Sequence, residues 1–282
     1  MKEKFLYYLL KGLAATPLWL MYLFSDLGYF IIYRILGYRR KVVRDNLTTS
    51  FPEKNLKEIS KIERQFYHFL CDQMVETLKL FNISDKQLMK RVEVNGADIV
   101  NLDLKEGKNV VLFMGHYGNW EWVQEISRYF LPGTFMASIY HQLNDPVWNN
   151  LFIKLRSRWG NQIVEMKKSA RVLLNKKNSP WVCGFISDQW TWHPNANSWL
   201  MFLNHPTGFI YGSEEIGMKT GATFYYLEMK PVKRGHYQIN MKPLHPADME
   251  VPYPYTREFW KEFEKTIQEK PAYWLWSHKR WK

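Results

Sequence analysis

Hydrophobic positions follow three successive patterns along the chain. Residues 5–44 are rich in Leu, Tyr, Phe and Ile, with polar interruptions such as Lys11 and Asp26. From Leu56 to Leu80, apolar residues recur every three or four positions, which predicts an amphipathic helix packed against the rest of the protein. After residue 92, short apolar runs alternate with amphipathic segments, which predicts strands alternating with helices.

The third pattern indicates the fold class. The runs predicted as strands are 110–114, 134–140, 162–166, 181–187, 223–229 and 236–244. Helices are predicted around 119–130, 146–159, 168–177, 210–220 and 256–269. This alternation predicts an α/β fold with a mostly parallel central sheet flanked by helices. In such folds, sites lie at the carboxyl ends of the strands.

The first pattern indicates a membrane anchor. Residues 1–40 lack both roughly twenty uninterrupted apolar residues and a small-residue cleavage site, so we expect a retained tilted span or interfacial hairpin. A buried core helix of a soluble protein is the alternative. Residues 41–282 would form the α/β domain, with 41–90 as its helical lead-in. Basic residues that favour a cytoplasmic position follow the anchor: Arg39, Arg40, Lys41 and Arg44.

Composition supports a membrane surface. The 39 Lys and Arg residues outnumber 27 Asp and Glu, giving a net charge of +12, which suits nucleic acid, an anionic membrane or a phosphorylated substrate. The 13 Trp and 17 Tyr residues favour the membrane, and no nucleic-acid-binding signature is present. Cys71 and Cys183 have neither metal-ligand spacing nor a disulfide pattern, so we expect a reducing compartment, no metal and no cofactor.

The stretch NVVLFMGHYGNWEW, residues 109–122, carries the candidate chemistry. Gly115 and Gly118 permit a tight turn after a buried strand, Asn119 can cap a helix, and Glu121 would lie in the first helical turn. From there the carboxylate could reach back to His116. A carboxylate that fixes the tautomer of an imidazole raises the basicity of its other nitrogen, as a general base requires.

The spacing alone is weak evidence, because His245 and Glu250 repeat it in a proline-broken loop without the strand and turn. No serine or cysteine nucleophile accompanies His116, so the nucleophile should come from the substrate.

The block GHYGNWE resembles the His-x4-Asp/Glu motif of the lipid A late acyltransferases, the lauroyl/myristoyl transferases of the lysophospholipid acyltransferase superfamily. The resemblance extends to SIYHQLNDPVWNNLFIKLRSRWG, GFISDQW and the end PAYWLWSHKRWK. It implies a glycerolipid acyltransferase-like fold. It also implies acyl transfer from an acyl carrier protein thioester to a hydroxyl of a membrane glycolipid, a lipid A precursor, at the inner leaflet of the inner membrane. His116 would deprotonate this hydroxyl and Glu121 would orient His116.

Four further residues are candidates for substrate binding or for the oxyanion site. Arg156 matches a family arginine, with Arg158 as its competitor and a solvated helix face as the alternative for both. Asp188 and Gln189 follow a predicted strand and should lie at the carboxyl edge of the sheet, although a turn that caps the next segment is the alternative. Asn119 is the fourth.

Departures from the family pattern keep other acceptors open. The family's Tyr-Arg-x-x-Asn appears here with His141 in place of the arginine, so one cation for a phosphate is missing or shifted. The Glu-Gly-Thr-Arg block of glycerolipid enzymes is also absent, which argues against simple glycerophosphate acyl transfer. The alternatives are O-acylation of another membrane lipid (an aminolipid, a glycolipid or a lysophospholipid) and a membrane-surface binding protein with a decayed site.

Overall fold

A computed structural model of the chain describes residues 2–176, 179–189 and 197–281. The α-helices in this part are α1 Lys2–Ala14, α2 Leu18–Tyr29, α3 Arg40–Ser50, α4 Leu56–Lys79, α5 Asp85–Met89, α6 Ala97–Lys105, α7 Pro146–Arg156, α8 Ser169–Leu174, α9 Gly212–Lys219 and α10 Pro254–Glu269. The strands are β1 Val92–Asn95, β2 Val110–Met114, β3 Phe135–Tyr140, β4 Gln162–Glu165, β5 Trp181–Ile186, β6 Trp199–Phe202, β7 His205–Gly208, β8 Thr223–Lys233 and β9 His236–Pro243. Short 3-10 helices cover Trp122–Tyr129, Met166–Lys168 and Pro271–Tyr273.

The central sheet has seven strands in the order β1-β9-β8-β2-β5-β3-β4. Every neighbouring pair is parallel except β8 and β9, which form an antiparallel hairpin. Helices flank this sheet, so the predicted mostly parallel α/β architecture is confirmed. All six predicted strands are present. Three further strands were not predicted: β1, at the sheet edge, and β6 and β7, which form a separate two-stranded hairpin.

The middle of the sheet is the most buried part of the core. All five residues of β2 are buried between β5 and β8, consistent with a central parallel strand covered on both faces. Strands β2 and β5 pair in register from Val110 with Val182 to Met114 with Ile186. Their carboxyl ends therefore lie side by side, and the residues that follow both strands meet.

The N-terminal segment forms one helix long and apolar enough to cross a membrane. Helix α2 continues as a π-helical stretch to Ile35, and the 18 residues from Leu18 to Ile35 have a mean hydropathy of 1.2. Only 22% of this segment is buried, which is unlike the buried core helix of the alternative interpretation. Its exposed side chains include Trp19, Leu23 and Phe24. Length and composition thus make it a candidate anchor.

The basic cluster after this segment is largely engaged within the protein. Arg44 makes two hydrogen bonds to the buried carboxylate of Glu63, and Arg39 donates to the carbonyl of Ser277 at 2.9 Å. Lys41 pairs with its exposed neighbour Asp45 at 2.6 Å. Arg44 therefore stabilises the packing of α3 on α4, and Arg39 ties the start of α3 to the C-terminal segment.

Candidate functional site

The turn over residues 115–121 connects β2 to the following 3-10 helix, and two glycines make it possible. A side chain at position 115 would collide with the ring of Phe263. At position 118 the backbone has φ of +62°, and a side chain would collide with the carbonyl of Met229. The turn is therefore packed too closely against α10 and β8 for any residue but glycine at these positions.

The C-terminal segment of the chain clamps this turn. Tyr117 forms an antiparallel β-bridge with Trp274. The Gly118 N–H donates to the carbonyl of Tyr273 at 3.0 Å, and the carbonyl of His116 accepts from Leu275 at 3.1 Å. These backbone bonds fix where the His116 side chain starts.

The ring of His116 is oriented by Asp188. His116 Nδ1 lies 2.7 Å from Asp188 Oδ1, and the Asp188 side chain is fully buried. Its other oxygen accepts from the indole of Trp274 at 2.9 Å and from Arg280 at 3.2 Å. Burial alone would raise the pKa of Asp188, but the His116 ring, Arg280 and the indole hold it well below its usual range. Asp188 is therefore an ionised partner for the imidazole.

Glu121 makes a different contact from the one predicted. Its carboxylate accepts two hydrogen bonds from Arg156, from Nε at 2.9 Å and from Nη2 at 2.5 Å. The expected geometry, in which Glu121 reaches back to His116, is corrected: Asp188 holds the ring. Glu121 lies immediately before the 3-10 helix that begins at Trp122, and Arg156 of α7 takes up both of its carboxylate oxygens.

Buried Glu121 and half-buried Arg156 form a bidentate ion pair. Burial opposes the charge of Arg156, but its hydrogen bonds to Glu121 outweigh this and raise the pKa of the guanidinium. The planar fork matches the two carboxylate oxygens, so each side chain fixes the other.

A cavity of about 200 Å³ brings most of the predicted residues together. His116, Glu121, Arg156 and Gln189 all line it, and so does His141. Its walls also include apolar side chains from β2, β3 and β5, so polar groups converge on a largely apolar space. Such a combination is typical of small-molecule sites.

Two predicted candidates lie elsewhere. Asn119 is a fully buried residue of the turn, and its amide donates to Glu76 at 2.6 Å. It therefore holds the turn in place instead of lining the cavity. Arg158 donates to the carbonyls of Leu80 and Ile83 at 3.0 and 2.6 Å, so it anchors the loop after α4.

Sequence reasoning missed three residues that build the site. Trp274 and Arg280 lie in the terminal block PAYWLWSHKRWK, which supported the family resemblance without any role being given to single residues. Glu76 falls on the apolar face of α4, where the helical period expects a hydrophobic residue. A charge in that register was the available signal. Trp190 of the block GFISDQW lies outside the described residues.

The structure thus places a histidine and an ionised carboxylate together at the carboxyl edge of a mostly parallel sheet, where sites lie in α/β folds. The chain matches the model of the family described as bacterial lipid A biosynthesis acyltransferase over residues 4–282. The protein belongs to this family and is thus an acyltransferase. A search of the curated proteins found no match to the chain.

Proposed function

We propose that the protein transfers a fatty acyl chain from an acyl carrier protein thioester to a hydroxyl of a lipid A precursor. The observation that carries the proposal is the 2.7 Å contact between His116 and the buried Asp188, at the edge of a cavity in a member of this family. The donor and the acceptor come from the family resemblance. The reaction type also fits the site: the serine on the cavity wall, Ser138, donates to Gln124 at 3.0 Å, whereas His116 is bonded to Asp188, the pairing that activation of a substrate hydroxyl requires.

His116 would act as the general base through Nε2. Ionised Asp188 favours the tautomer that carries its proton on Nδ1, which leaves the lone pair on Nε2. Nε2 takes the proton of the acceptor hydroxyl while the hydroxyl oxygen attacks the thioester carbonyl carbon and forms the C–O bond. The tetrahedral intermediate then expels the thiolate as the C–S bond breaks, and the imidazolium returns the proton to the sulfur. General-base assistance of this kind contributes roughly 10²–10⁴ in rate.

Glu121 would contribute through Arg156. The Nε and Nη2 groups of Arg156 point to Glu121, so its remaining Nη1 group is the one we assign to the oxyanion or to an acceptor phosphate. In this proposal the His/Glu dyad of the motif is divided: Asp188 orients the base, and Glu121 fixes the cation. Both arms meet in the same cavity.

A second candidate acceptor is another membrane lipid. His141 stands where the family pattern has an arginine, and it lies exposed at the cavity wall. A histidine offers a weaker and pH-dependent contact to phosphate than a guanidinium. An aminolipid, a glycolipid or a lysophospholipid that carries less phosphate would lose less from this replacement than a doubly phosphorylated glycolipid.

Residues 1–40 would attach the enzyme to the cytoplasmic face of the inner membrane, with 41–282 as the acyltransferase domain and 41–90 as its helical lead-in. The support is the exposed apolar face of α1 and α2, which includes Phe5 and Trp19. Leu23→Ser with Phe24→Ser should shift the protein from the membrane to the soluble fraction and preserve turnover of a detergent-soluble acceptor. The matched control is Met249→Ser, at an exposed apolar residue in the segment after β9. Unchanged sedimentation of the double variant with the membrane would contradict the anchor.

The reaction is tested by incubating the purified protein with an acyl carrier protein thioester and a lipid A precursor, followed by mass spectrometry of the lipid. Parallel reactions contain the coenzyme A thioester, or an aminolipid or lysophospholipid as acceptor. The proposal expects the lipid A precursor to gain one acyl chain. Acylation of another lipid alone would favour the second candidate. Tight liposome binding without any product would overturn both and favour a membrane-binding protein.

A further inference from the structure

Glu76 is a buried carboxylate on α4 that contacts the turn over residues 115–121, which we term the catalytic turn. Its side chain is 0% exposed. One oxygen accepts from the hydroxyl of Tyr22 at 2.7 Å. The other accepts from the Asn119 amide at 2.6 Å and from the hydroxyl of Tyr237 at 2.7 Å. Three donors from α2, the turn and β9 thus converge on one residue.

Glu76 is tied to the turn by two separate routes. Its side chain bonds Asn119, whose amide oxygen in turn accepts from the N–H of Trp122 at 3.2 Å. Its backbone carbonyl accepts from the indole of Trp122 at 3.0 Å. Asn119 lies between His116 and Glu121 in sequence, so a shift of Asn119 moves the two cavity residues relative to each other.

The same carboxylate is tied to the apolar helix. Tyr22 lies within the Leu18–Ile35 segment, and its hydroxyl ends at Glu76. A second pair of contacts locks that helix to α4, because Ser25 donates to Asp72 at 2.6 Å and Arg234 bonds both Asp72 and Asp26. These contacts hold helix α2 against α4. Of the two α4 carboxylates that bind α2, Glu76 is the one that also contacts the turn.

We propose that Glu76 is a positioning residue for the catalytic turn, and that it links the seating of the apolar helix α2 to the geometry of His116 and Glu121. The inference rests on the proposed function. Glu76 touches neither the cavity nor the ring of His116, so it acts only through Asn119 and Trp122. Its loss should lower turnover because the reacting groups are misplaced, while substrate binding changes little.

The geometry requires acceptors at Glu76 more than it requires charge. All three side-chain donors are neutral, and burial raises the pKa of Glu76 to about 7 although the two hydroxyls and the amide oppose the rise. Glutamine can make the same three hydrogen bonds as Glu76. Its oxygen accepts from Asn119 and Tyr237, and its amide donates to the Tyr22 hydroxyl, which rotates to accept. Leucine has a similar size but leaves the Asn119 amide unpaired.

The test compares Glu76→Leu with Glu76→Gln and with Glu63→Leu. Glu63 is a matched control, because it is another fully buried glutamate on α4, and its ion-pair partners are Arg44 and Arg40 of α3. We expect Glu76→Leu to lower kcat by about 10-fold to 100-fold with KM changed less than about 2-fold. Glu76→Gln should retain most of the parent kcat. Glu63→Leu should keep the parent kcat at temperatures where it stays folded.

Hydrogen exchange of residues 116–122 gives a readout that does not depend on acyl transfer. Glu76→Leu should accelerate exchange in this segment, and Glu63→Leu should not. Equal exchange in these two variants, or a parent-like kcat in Glu76→Leu, would overturn the positioning role. Absence of acyl transfer by the parent protein would instead concern the proposed function, because exchange is measured without substrate.

A milder variant keeps the inference testable if Glu76→Leu does not fold. Tyr22→Phe removes only the hydroxyl that joins α2 to Glu76, and Tyr8→Phe on the exposed face of α1 is its control. We expect Tyr22→Phe to lower kcat by about 3-fold, in line with the loss of one hydrogen bond, and to accelerate exchange at 116–122. Unchanged kcat and unchanged exchange would overturn the link to α2.

Discussion

The two ends of the turn over residues 115–121 are held by buried carboxylates with opposite surroundings. At one end Asp188 faces the His116 ring and the cation Arg280, and its pKa stays well below the usual range. At the other end Glu76 receives only neutral donors, and burial raises its pKa to about 7. A buried carboxylate keeps its charge where a cation shares the site and approaches neutrality where none does. The fold thus places a charged carboxylate beside His116, the proposed base, and uses the other carboxyl group as a hydrogen-bond acceptor.

The largest effect should come from removing the base itself. His116→Ala should lower kcat by about 1000-fold with the fold intact, because it removes the proposed proton acceptor Nε2 and the other histidine on the cavity wall, His141, is exposed to solvent. Steady-state acyl transfer and thermal unfolding measure the two properties. His245→Ala is the control, since that histidine is exposed beyond β9, and it should behave as the parent. Similar activity in both variants would remove His116 from the mechanism.

The next largest effect should come from removing the cation that pairs with Asp188. Arg280→Met should lower the free energy of unfolding by about 3 kcal/mol, because it leaves ionised Asp188 buried without its cation. Arg280 is 1% exposed, and burial lowers the pKa of this guanidinium to about 10 although Asp188 opposes the drop. Denaturation in urea measures the change. The exposed neighbour Lys279 offers the control Lys279→Met, and equal stability of the two variants would contradict the account.

A third carboxylate extends the comparison to a site that lacks donors. Glu125 is fully buried, and neither of its oxygens has a hydrogen-bond partner among the described residues. Burial raises its pKa from 4.5 to about 7, although Arg128 opposes the rise. The folded state therefore binds a proton that the unfolded state has released, and stability falls as pH rises from 4.5 to 7.

Glu125→Gln should remove this loss of stability at rising pH, because glutamine does not ionise. Compared with the parent, the variant should be equally stable below pH 4.5 and more stable by about 2–3 kcal/mol at pH 8, where Glu125 is charged. Urea denaturation across this range measures the gap. Glu215→Gln, at an exposed position on α9, is the control and should leave the pH profile unchanged. A stability difference between variant and parent that does not grow with pH would contradict the raised pKa of Glu125.

The smallest effect concerns the ion pair on the cavity wall. Arg156→Lys keeps a positive charge but loses the fork that holds Glu121, so kcat should fall by about 10-fold. A loss confined to KM would assign Arg156 to the acceptor phosphate instead of the oxyanion. Arg158→Lys is the matched control, because Arg158 serves the loop after α4. Full activity of Arg156→Lys in both constants would remove it from the site.

Much of the fold and part of the site follow from sequence. Hydrophobic runs located the six strands that contribute most of the sheet, and the strand-turn pattern singled out His116. The partner of His116 was within reach of the same reasoning. His116 lies two residues after β2 and Asp188 two residues after β5, so adjacent parallel strands in register bring them together. What the sequence lacked was the strand order, since it does not say that β5 neighbours β2.

The contacts that cross the chain were harder to predict. Arg280 and Trp274 reach Asp188 from about 90 residues away, and Tyr22 meets Glu76 across 54 positions. No local period encodes such pairs. The predicted contact between His116 and Glu121 gives way to two long-range contacts: Asp188 lies 72 positions from His116, and Arg156 lies 35 positions from Glu121.

The most direct test of the account measures kcat for Asp188→Asn and Glu76→Gln side by side. Both changes replace a buried carboxylate by its amide at one end of the same turn. The asparagine amide cannot supply the charge that holds Nδ1 protonated, so we predict that Asp188→Asn loses about 100-fold or more in kcat, whereas Glu76→Gln stays within about 3-fold of the parent. A parent-like kcat in Asp188→Asn, or equal losses in the two variants, would contradict the account.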